Sequence, residues 1–267
     1  MQEGEYFRAI TEFRRFLFFY PEDHRAPMIH FRIGLALYRG QSYAEAAKVF
    51  STVANRYGDS LYGQHAWLWL GESLLRQGLY SEAERLYTRL AQHFAGSSIG
   101  QQALYTQGWL LLYRRHWHEA SVHFGHIAPS SPFYVQAQSL VHDALQGTRL
   151  PEKSPFVAGL LSALLPGSGQ LYNGRRGDAL LAFFLNGLFI AGILEAMQHH
   201  KYTVAGILSF FEIAWYSGNV YGAVNGAYKT NQHTTRNFLQ NLENRYQPAL
   251  PEMRQSRLLG IKFSLGF

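Results

Sequence analysis

The first half of the chain repeats every 37 residues, and this period limits the possible folds more than any other feature of the sequence. Each repeat carries an aromatic residue, an alanine three positions later and a second aromatic residue four positions after that. A fixed period of this length is typical of stacked helical units and not of one closed globular core. Stacked units form surfaces that bind other molecules, so we expect binding and not catalysis. The repeated positions are Tyr6, Tyr43, Tyr80 and Trp117, then Ala9, Ala46, Ala83 and Ala120, then Phe13, Phe50, Tyr87 and Phe124.

Two helices are predicted in each unit. In one unit the first helix contains Gly34 and Leu37, and the second contains Ala46, Phe50 and Val53. Spacings of three and four residues place each set on one helical face. The small residues let neighbouring helices approach, and the aromatic side chain fills the gap between them. The equivalent positions in the next two units are Gly71, Leu74, Ala83, Tyr87 and Leu90, and then Gly108, Leu111, Ala120, Phe124 and Ile127.

This arrangement resembles the tetratricopeptide repeat, whose usual period is about 34 residues. The resemblance covers residues 1–147, about three and a half units, and implies an all-α helical solenoid whose groove binds a protein or peptide partner. Units that are longer and end in an aromatic residue are similar to the repeats of bacterial envelope proteins. The first unit has its second helix without a first helix before it, which would leave an apolar edge exposed. Either another group packs against this edge or the natural start of the chain lies upstream, and we expect the second. Candidates for lining the groove are Trp67, Trp69, Tyr105 and Trp109, with packing in an aromatic core as the alternative.

The second half of the chain is apolar and predicts a membrane hairpin. Residues 148–155 read as a linker, and residues 156–229 hold a short apolar helix followed by two long apolar stretches, Ala179–Met197 and Thr203–Ala227. At about 1.5 Å per residue, each long stretch can cross a hydrocarbon core of about 30 Å. A water-soluble pair of buried helices is the alternative, because Glu212 interrupts the second stretch.

A glycine-rich segment joins the short helix to the first long stretch. It does not fit a phosphate-binding loop, because Arg175 and Arg176 stand where Lys and Ser or Thr are needed. A dinucleotide-binding loop would need glycine where Tyr172 stands. The segment instead resembles the P-G-x-G-Q-x-Y-N-G signature of small bacterial membrane-hairpin domains, which implies no particular chemistry. The signature residues are Pro166, Gly167, Gly169, Gln170, Tyr172, Asn173 and Gly174.

Small and polar residues mark the two predicted spans. Gly218, Gly222 and Gly226 share one helical face, where another helix or a second copy of the chain can approach closely. The polar residues at membrane depth are Asn186, Glu212 and Asn219. They either form hydrogen bonds across the hairpin or serve a transport or proton-relay role.

Composition excludes several other functions. The formal net charge is +6, but no run of Lys and Arg is dense enough to follow a nucleic-acid backbone, so the basic residues fit membrane flanks better. The chain has no cysteine, which excludes disulfides and thiolate metal sites. His123 and His126 lie one helical turn apart and could share a metal, but no carboxylate completes a ligand set and packing is the preferred interpretation. We expect no catalytic residue, no metal and no cofactor.

These features predict a membrane-anchored interaction scaffold of the bacterial cell envelope, with a membrane transport or assembly component as the alternative. Basic residues flank both ends of the hairpin, which favours cytoplasmic repeats. The envelope-type repeats and the end of the chain favour the periplasm, and we expect a periplasmic repeat domain on the inner membrane. Residues 230–267 form a polar tail that we expect to be loosely ordered. Its last residues alternate as in a strand, at Ile261, Phe263, Leu265 and Phe267.

Overall fold

The computed structural model describes residues 3–58 and 60–246, with side chains from Tyr6 onward. Over these residues the chain forms helices and no strand, which confirms the predicted all-α fold. The helices are α1 Glu3–Phe19, α2 Ala26–Arg39, α3 Tyr43–Arg56, α4 Leu61–Arg76, α5 Tyr80–His93, α6 Ser98–Tyr113, α7 Trp117–Gly125, α8 Tyr134–Gln146, α9 Pro155–Leu164, α10 Ser168–Tyr172, α11 Arg176–Gln198 and α12 Tyr202–Tyr246. A single 3-10 turn, Gly147–Arg149, follows α8. The predicted terminal strand lies outside the described residues.

The chain divides into two compact units. The first contains the residues up to Thr148 together with the described residues from Leu242 onward, and the second contains Arg149–Asn241. Helix α12 therefore begins in the second unit and contributes its last residues to the first.

Helices of the first unit pair as the repeat predicts, with a glycine of one helix against an aromatic ring of the next. A Cβ atom added to Gly34 would lie 2.6 Å from the ring of Phe50, and one added to Gly71 would lie 2.4 Å from the ring of Tyr87. The same contact recurs at 2.4 Å in the third pair, between Gly108 and Phe124. A side chain larger than hydrogen would push each pair apart, so glycine sets the distance between the two helices.

A second periodic contact joins one helix pair to the next, and the sequence analysis missed it. The Ser60 hydroxyl caps α4 by accepting a hydrogen bond from Gly63 N at 3.0 Å, and Ser97 does the same for α6 from Gly100 N at 3.2 Å. A Cβ atom on Gly63 would lie 1.8 Å from the carbonyl oxygen of Tyr57. The residues of this joint are also 37 positions apart, so a search for periodic serine and glycine would have found them.

Helix α12 extends well beyond the predicted end of the second span. The prediction of a loosely ordered tail from residue 230 is wrong for the described part, because the helix continues to Tyr246. The hydroxyls of Thr230 and Thr234 donate to carbonyls one turn earlier, at 2.9 and 3.0 Å, so these side chains are satisfied inside the helix.

Only the first predicted span is long and apolar enough to cross a membrane among the described residues. This helix is α11, and only 17% of its apolar window is buried. The second stretch falls short because Glu212 and Asn219 lower its mean hydropathy. The membrane hairpin therefore stays a prediction, with one of its two spans long and apolar enough to cross a membrane among the described residues.

Candidate functional site

The first helices of the repeats share a polar network. The Tyr38 hydroxyl of α2 donates to Glu72 Oε1 of α4 at 2.8 Å, and Arg76 Nε donates to the same oxygen at 2.8 Å. Glu72 is only 9% exposed. Burial raises the pKa of Glu72, and the neighbouring Arg76 and Tyr38 act in the opposite direction. These hydrogen bonds connect α2 to α4 and hold the charged side chain of Arg76 beside the first helices of the repeats.

Helices α6 and α8 contact the end of α12 within the first unit. The Tyr113 hydroxyl of α6 donates to Glu243 Oε1 at 2.8 Å. Asp143 of α8 accepts a hydrogen bond from the Tyr246 hydroxyl at 2.6 Å and forms an ion pair with Arg245 at 2.9 Å. Leu242 is fully buried. None of these residues was identified from the sequence, because the partners lie about a hundred positions apart and follow no period.

The four aromatic candidates for the groove do not form one exposed wall. Trp109 and Tyr105 are 0% and 1% exposed, so they pack inside the unit and do not line an open surface. Trp67 and Trp69 are half-buried. Trp69 lies edge-on to Tyr38 at 4.9 Å between ring centroids. Packing in an aromatic core, the alternative interpretation, accounts for Tyr105 and Trp109.

Trp67 borders a surface cleft. The cleft lies at the ends of α3 and α5 beside the start of α4. Its polar lining includes Gln64, Arg89 and His93. The lining of the cleft is therefore mixed, with an indole, a guanidinium group and an imidazole beside apolar residues.

The histidines of the third repeat do not converge. His123 Nε2 lies 2.8 Å from the carbonyl oxygen of Leu104, and burial lowers the pKa of this imidazole. His116 Nδ1 lies 3.2 Å from Glu119. Within residues 3–58 and 60–246, no three potential ligands are grouped as a metal ion requires.

The glycine-rich signature forms a close joint between helices of the second unit. Gly167 has a φ of +91°, which favours glycine, and a Cβ atom on it would lie 2.2 Å from the carbonyl oxygen of Ala179. A Cβ atom on Gly169 would lie 2.1 Å from the carbonyl oxygen of Ala158 and 2.8 Å from Ala223 Cβ. The backbone of α10 therefore lies almost directly against α9 and α12.

The polar side chains of the signature complete this joint. Gln170 accepts a hydrogen bond from the Ser162 hydroxyl at 2.8 Å and donates to the carbonyl oxygen of Asn219 at 2.9 Å. Asn173 donates to the carbonyl oxygen of Ala223 at 2.7 Å. The Tyr172 hydroxyl accepts from Ser154 N at 3.1 Å, and Lys153 Nζ lies 4.7 Å from the Tyr172 ring. The arrangement explains the signature residues as packing and hydrogen-bonding groups of this joint.

The polar residues of the predicted spans are buried and incompletely paired. Asn186 is 1% exposed and donates to the carbonyl oxygen of Ala182, while its own side-chain oxygen has no partner. Glu212 is 7% exposed, and both of its carboxyl oxygens lack a partner. The amide nitrogen of Asn219 is also unpaired. The predicted hydrogen bonds across the hairpin are thus absent at these described atoms.

The three glycines of the predicted packing face differ from one another. A Cβ atom on Gly226 would lie 2.8 Å from Asn173 Nδ2, so this position contacts the signature. Gly218 and Gly222 have open space around them in the described structure.

Comparison with known proteins identifies the repeats. Residues 1–60 and residues 31–98 match the family model described as the tetratricopeptide repeat. The N-terminal helix pairs have tetratricopeptide-repeat architecture. Neither the curated proteins nor the solved structures gave a match to this chain. Repeats of this family are interaction modules for proteins and peptides, and the match extends over the helix pairs that contain Tyr38, Glu72 and Trp67.

Proposed function

We propose that the protein is a membrane-anchored scaffold of the bacterial cell envelope, whose repeats bind a partner protein or peptide. The observation that carries the anchoring is the apolar surface of α11, where Leu180, Phe184 and Leu188 are 60%, 67% and 69% exposed. Surfaces of this kind are rarely left to water, and a lipid bilayer covers them without a protein partner. The tetratricopeptide repeats in the same chain supply the interaction surface.

Anchoring is tested by alkaline carbonate extraction of membranes from cells that express the full chain. We expect the unmodified protein to stay in the membrane pellet. The double variant Phe184→Arg/Leu188→Arg should move to the soluble or aggregated fraction, because each arginine at the centre of a span costs about 2.5–3.5 kcal/mol. The matched control is Val135→Arg in α8, where the side chain is 75% exposed. Extraction of the unmodified protein by carbonate would refute the anchor.

Partner binding is tested by photo-crosslinking in living cells. A photoreactive amino acid at Gln64 places the probe in the cleft beside Trp67. We expect a discrete crosslinked species from this position and none from Val135, which is exposed on another helix. The same bands from both positions would mean that the cleft has no selective partner.

The unpaired polar atoms of Asn186 and Glu212 favour a second candidate function, in membrane transport or envelope assembly. Buried polar groups inside a span usually face protein or mark a functional path. Glu212→Gln keeps the size of the side chain and removes the ionisable group. Loss of cellular function with intact crosslinking at Gln64 would favour this second candidate, whereas full function would favour the scaffold alone.

Self-association through the glycine face remains a prediction of the sequence. Gly218 and Gly222 are open to a neighbouring helix, whereas Gly226 already contacts Asn173. Gly222→Leu should reduce chemical crosslinking between copies if the face is used.

A further inference from the structure

We infer that the surface formed by α6 and α8 is a binding site for a short amphipathic helix, and that Leu242–Tyr246 of the same chain occupies it as an internal ligand. The inference rests on the proposed function, because it names the chemistry that the repeats recognise. We call the surface the α6–α8 site; it consists of Tyr113, Asp143 and the hydroxyl group of Tyr105, whose ring is packed inside the unit.

Glu243, Arg245 and Tyr246 of the segment each have a partner at this site. Leu242 is fully buried, and Glu243 accepts the hydrogen bond from Tyr113 at 2.8 Å. Tyr246 donates through its hydroxyl to Asp143 at 2.6 Å, and its carbonyl oxygen accepts from the Tyr105 hydroxyl at 3.5 Å. Recognition by a buried aliphatic side chain, a carboxylate and an aromatic hydroxyl is side-chain specific, as expected of a ligand.

Helix geometry explains why these residues act together. Leu242 and Tyr246 are four positions apart and Glu243 and Tyr246 are three apart, so all three side chains lie on one face of α12. The opposite face is solvated, and Asn244 is exposed. The segment is therefore an amphipathic turn of the kind that helical peptides present to a groove.

The partner that fits the α6–α8 site has the same chemistry as the internal segment. It is a helical stretch with leucine at one position, an acidic residue next to it, a basic residue two positions further and tyrosine one turn after the leucine. Tyr113 offers a neutral donor to the acidic residue, because burial raises the pKa of its hydroxyl. Asp143 offers a carboxylate to both the basic residue and the tyrosine.

An internal ligand lowers the apparent affinity of the site for any outside helix. The apparent dissociation constant equals the intrinsic one divided by the fraction of molecules with an open site. A segment that fills the site in nine of ten molecules, as an order-of-magnitude case, weakens outside binding by about tenfold.

The test measures binding of a fluorescein-labelled peptide with the sequence of residues 231–246 to the purified full chain in detergent micelles. In the variant Leu242→Glu/Tyr246→Ala the internal segment loses its buried side chain and its hydroxyl. We expect this variant to bind the peptide at least about tenfold more tightly than the unmodified chain. Addition of Tyr113→Phe and Asp143→Asn should abolish that gain. Asn244→Ala is the matched control and should bind as weakly as the unmodified chain.

Hydrogen exchange gives a second measurement that does not depend on the peptide. Tyr113→Phe/Asp143→Asn keeps the shapes of both side chains, and we expect faster exchange confined to the last turns of α12, with helical circular dichroism unchanged. Equal peptide affinity for the unmodified chain and the Leu242→Glu/Tyr246→Ala variant would overturn the inference, and so would unchanged exchange. Crosslinking at Gln64 would persist in either case if the proposed function is correct, so the two failures are distinguishable.

Discussion

Gly34, Gly71 and Gly108 show at the residue scale how the repeat specifies its own packing. Each lies against an aromatic ring of the following helix at a distance that no side chain permits. The sequence pattern predicted this contact correctly, because spacings of three and four residues define a helical face without any knowledge of the fold.

Gly71→Ala should destabilise the repeats although alanine favours helix. The added methyl group would lie 2.4 Å from Tyr87 Cζ, and Tyr87 is almost fully buried and has little room to move. Overpacking of this kind costs about 1–3 kcal/mol and exceeds the helix-propensity gain of about 1 kcal/mol. Denaturant unfolding of the full chain measures the difference. The control is Gly125→Ala, where the nearest atom is 3.9 Å away and no loss is expected.

His65 gives the repeats a dependence on pH. Burial lowers the pKa of its imidazole from the ordinary 6.5, and its Nδ1 atom is buried without a partner. The unfolded chain therefore binds a proton at a higher pH than the folded chain does. The contribution of neutral His65 to the free energy of unfolding is complete above about pH 6.5. It is lost as the pH falls from the pKa of this histidine in the unfolded chain to its lower pKa in the folded chain.

His65→Gln removes this titration. We expect the melting temperature of the unmodified chain to fall more steeply between pH 7 and pH 5 than that of the variant. His118→Gln changes an exposed histidine and should leave the slope as it is in the unmodified chain. Equal slopes for the unmodified chain and His65→Gln would contradict the argument.

At the element scale, the helices differ in how far the sequence predicts them. Helices α2 to α7 follow from a local pattern that occurs three times. The C-terminal half of α12 does not, because its apolar residues at helical spacing are few and confined to its end, and they match no position of the repeat. These residues are Phe238, Leu239, Leu242 and Tyr246. The candidate site shows the same division. The repeat pattern is sufficient to identify Trp67 as a candidate. The roles of Tyr113 and Asp143 can be recognised only from their contacts with the end of α12 in the folded chain.

The close packing of the glycine-rich signature predicts that Gly169 and Gly177 respond differently to substitution by alanine. Gly169→Ala would place a methyl group 2.1 Å from a backbone oxygen of α9, which cannot move without shifting the helix. We expect a clear loss of thermal stability in detergent and faster proteolysis of the second unit. Gly177→Ala has no atom within 4 Å and lies in α11, so it should be neutral or slightly stabilising. Equal effects would mean that the joint is not closely packed.

For the whole molecule, the position of the end of α12 limits the membrane topology. The chain leaves the first unit at Thr148 and belongs to it again from Leu242, where Glu243 contacts Tyr113. If the chain is anchored in a membrane as proposed, both ends of the intervening segment are on the same side of the bilayer. The number of crossings between them is therefore even, although only α11 meets the criteria for a span among the described residues.

Two crossings require the N-terminal part of α12 to span the membrane together with α11, with Glu212 neutral or satisfied there. Labelling of single introduced cysteines can distinguish two crossings from none. The chain has no cysteine of its own, so each label reports one position. Glu45→Cys marks the repeats and Lys201→Cys marks the loop between α11 and α12, and both residues are exposed. For periplasmic repeats, a membrane-impermeant maleimide added to spheroplasts should label Glu45→Cys, with Lys201→Cys labelled only after lysis. The reverse pattern would place the repeats in the cytoplasm, and labelling of both from outside would show that neither helix crosses.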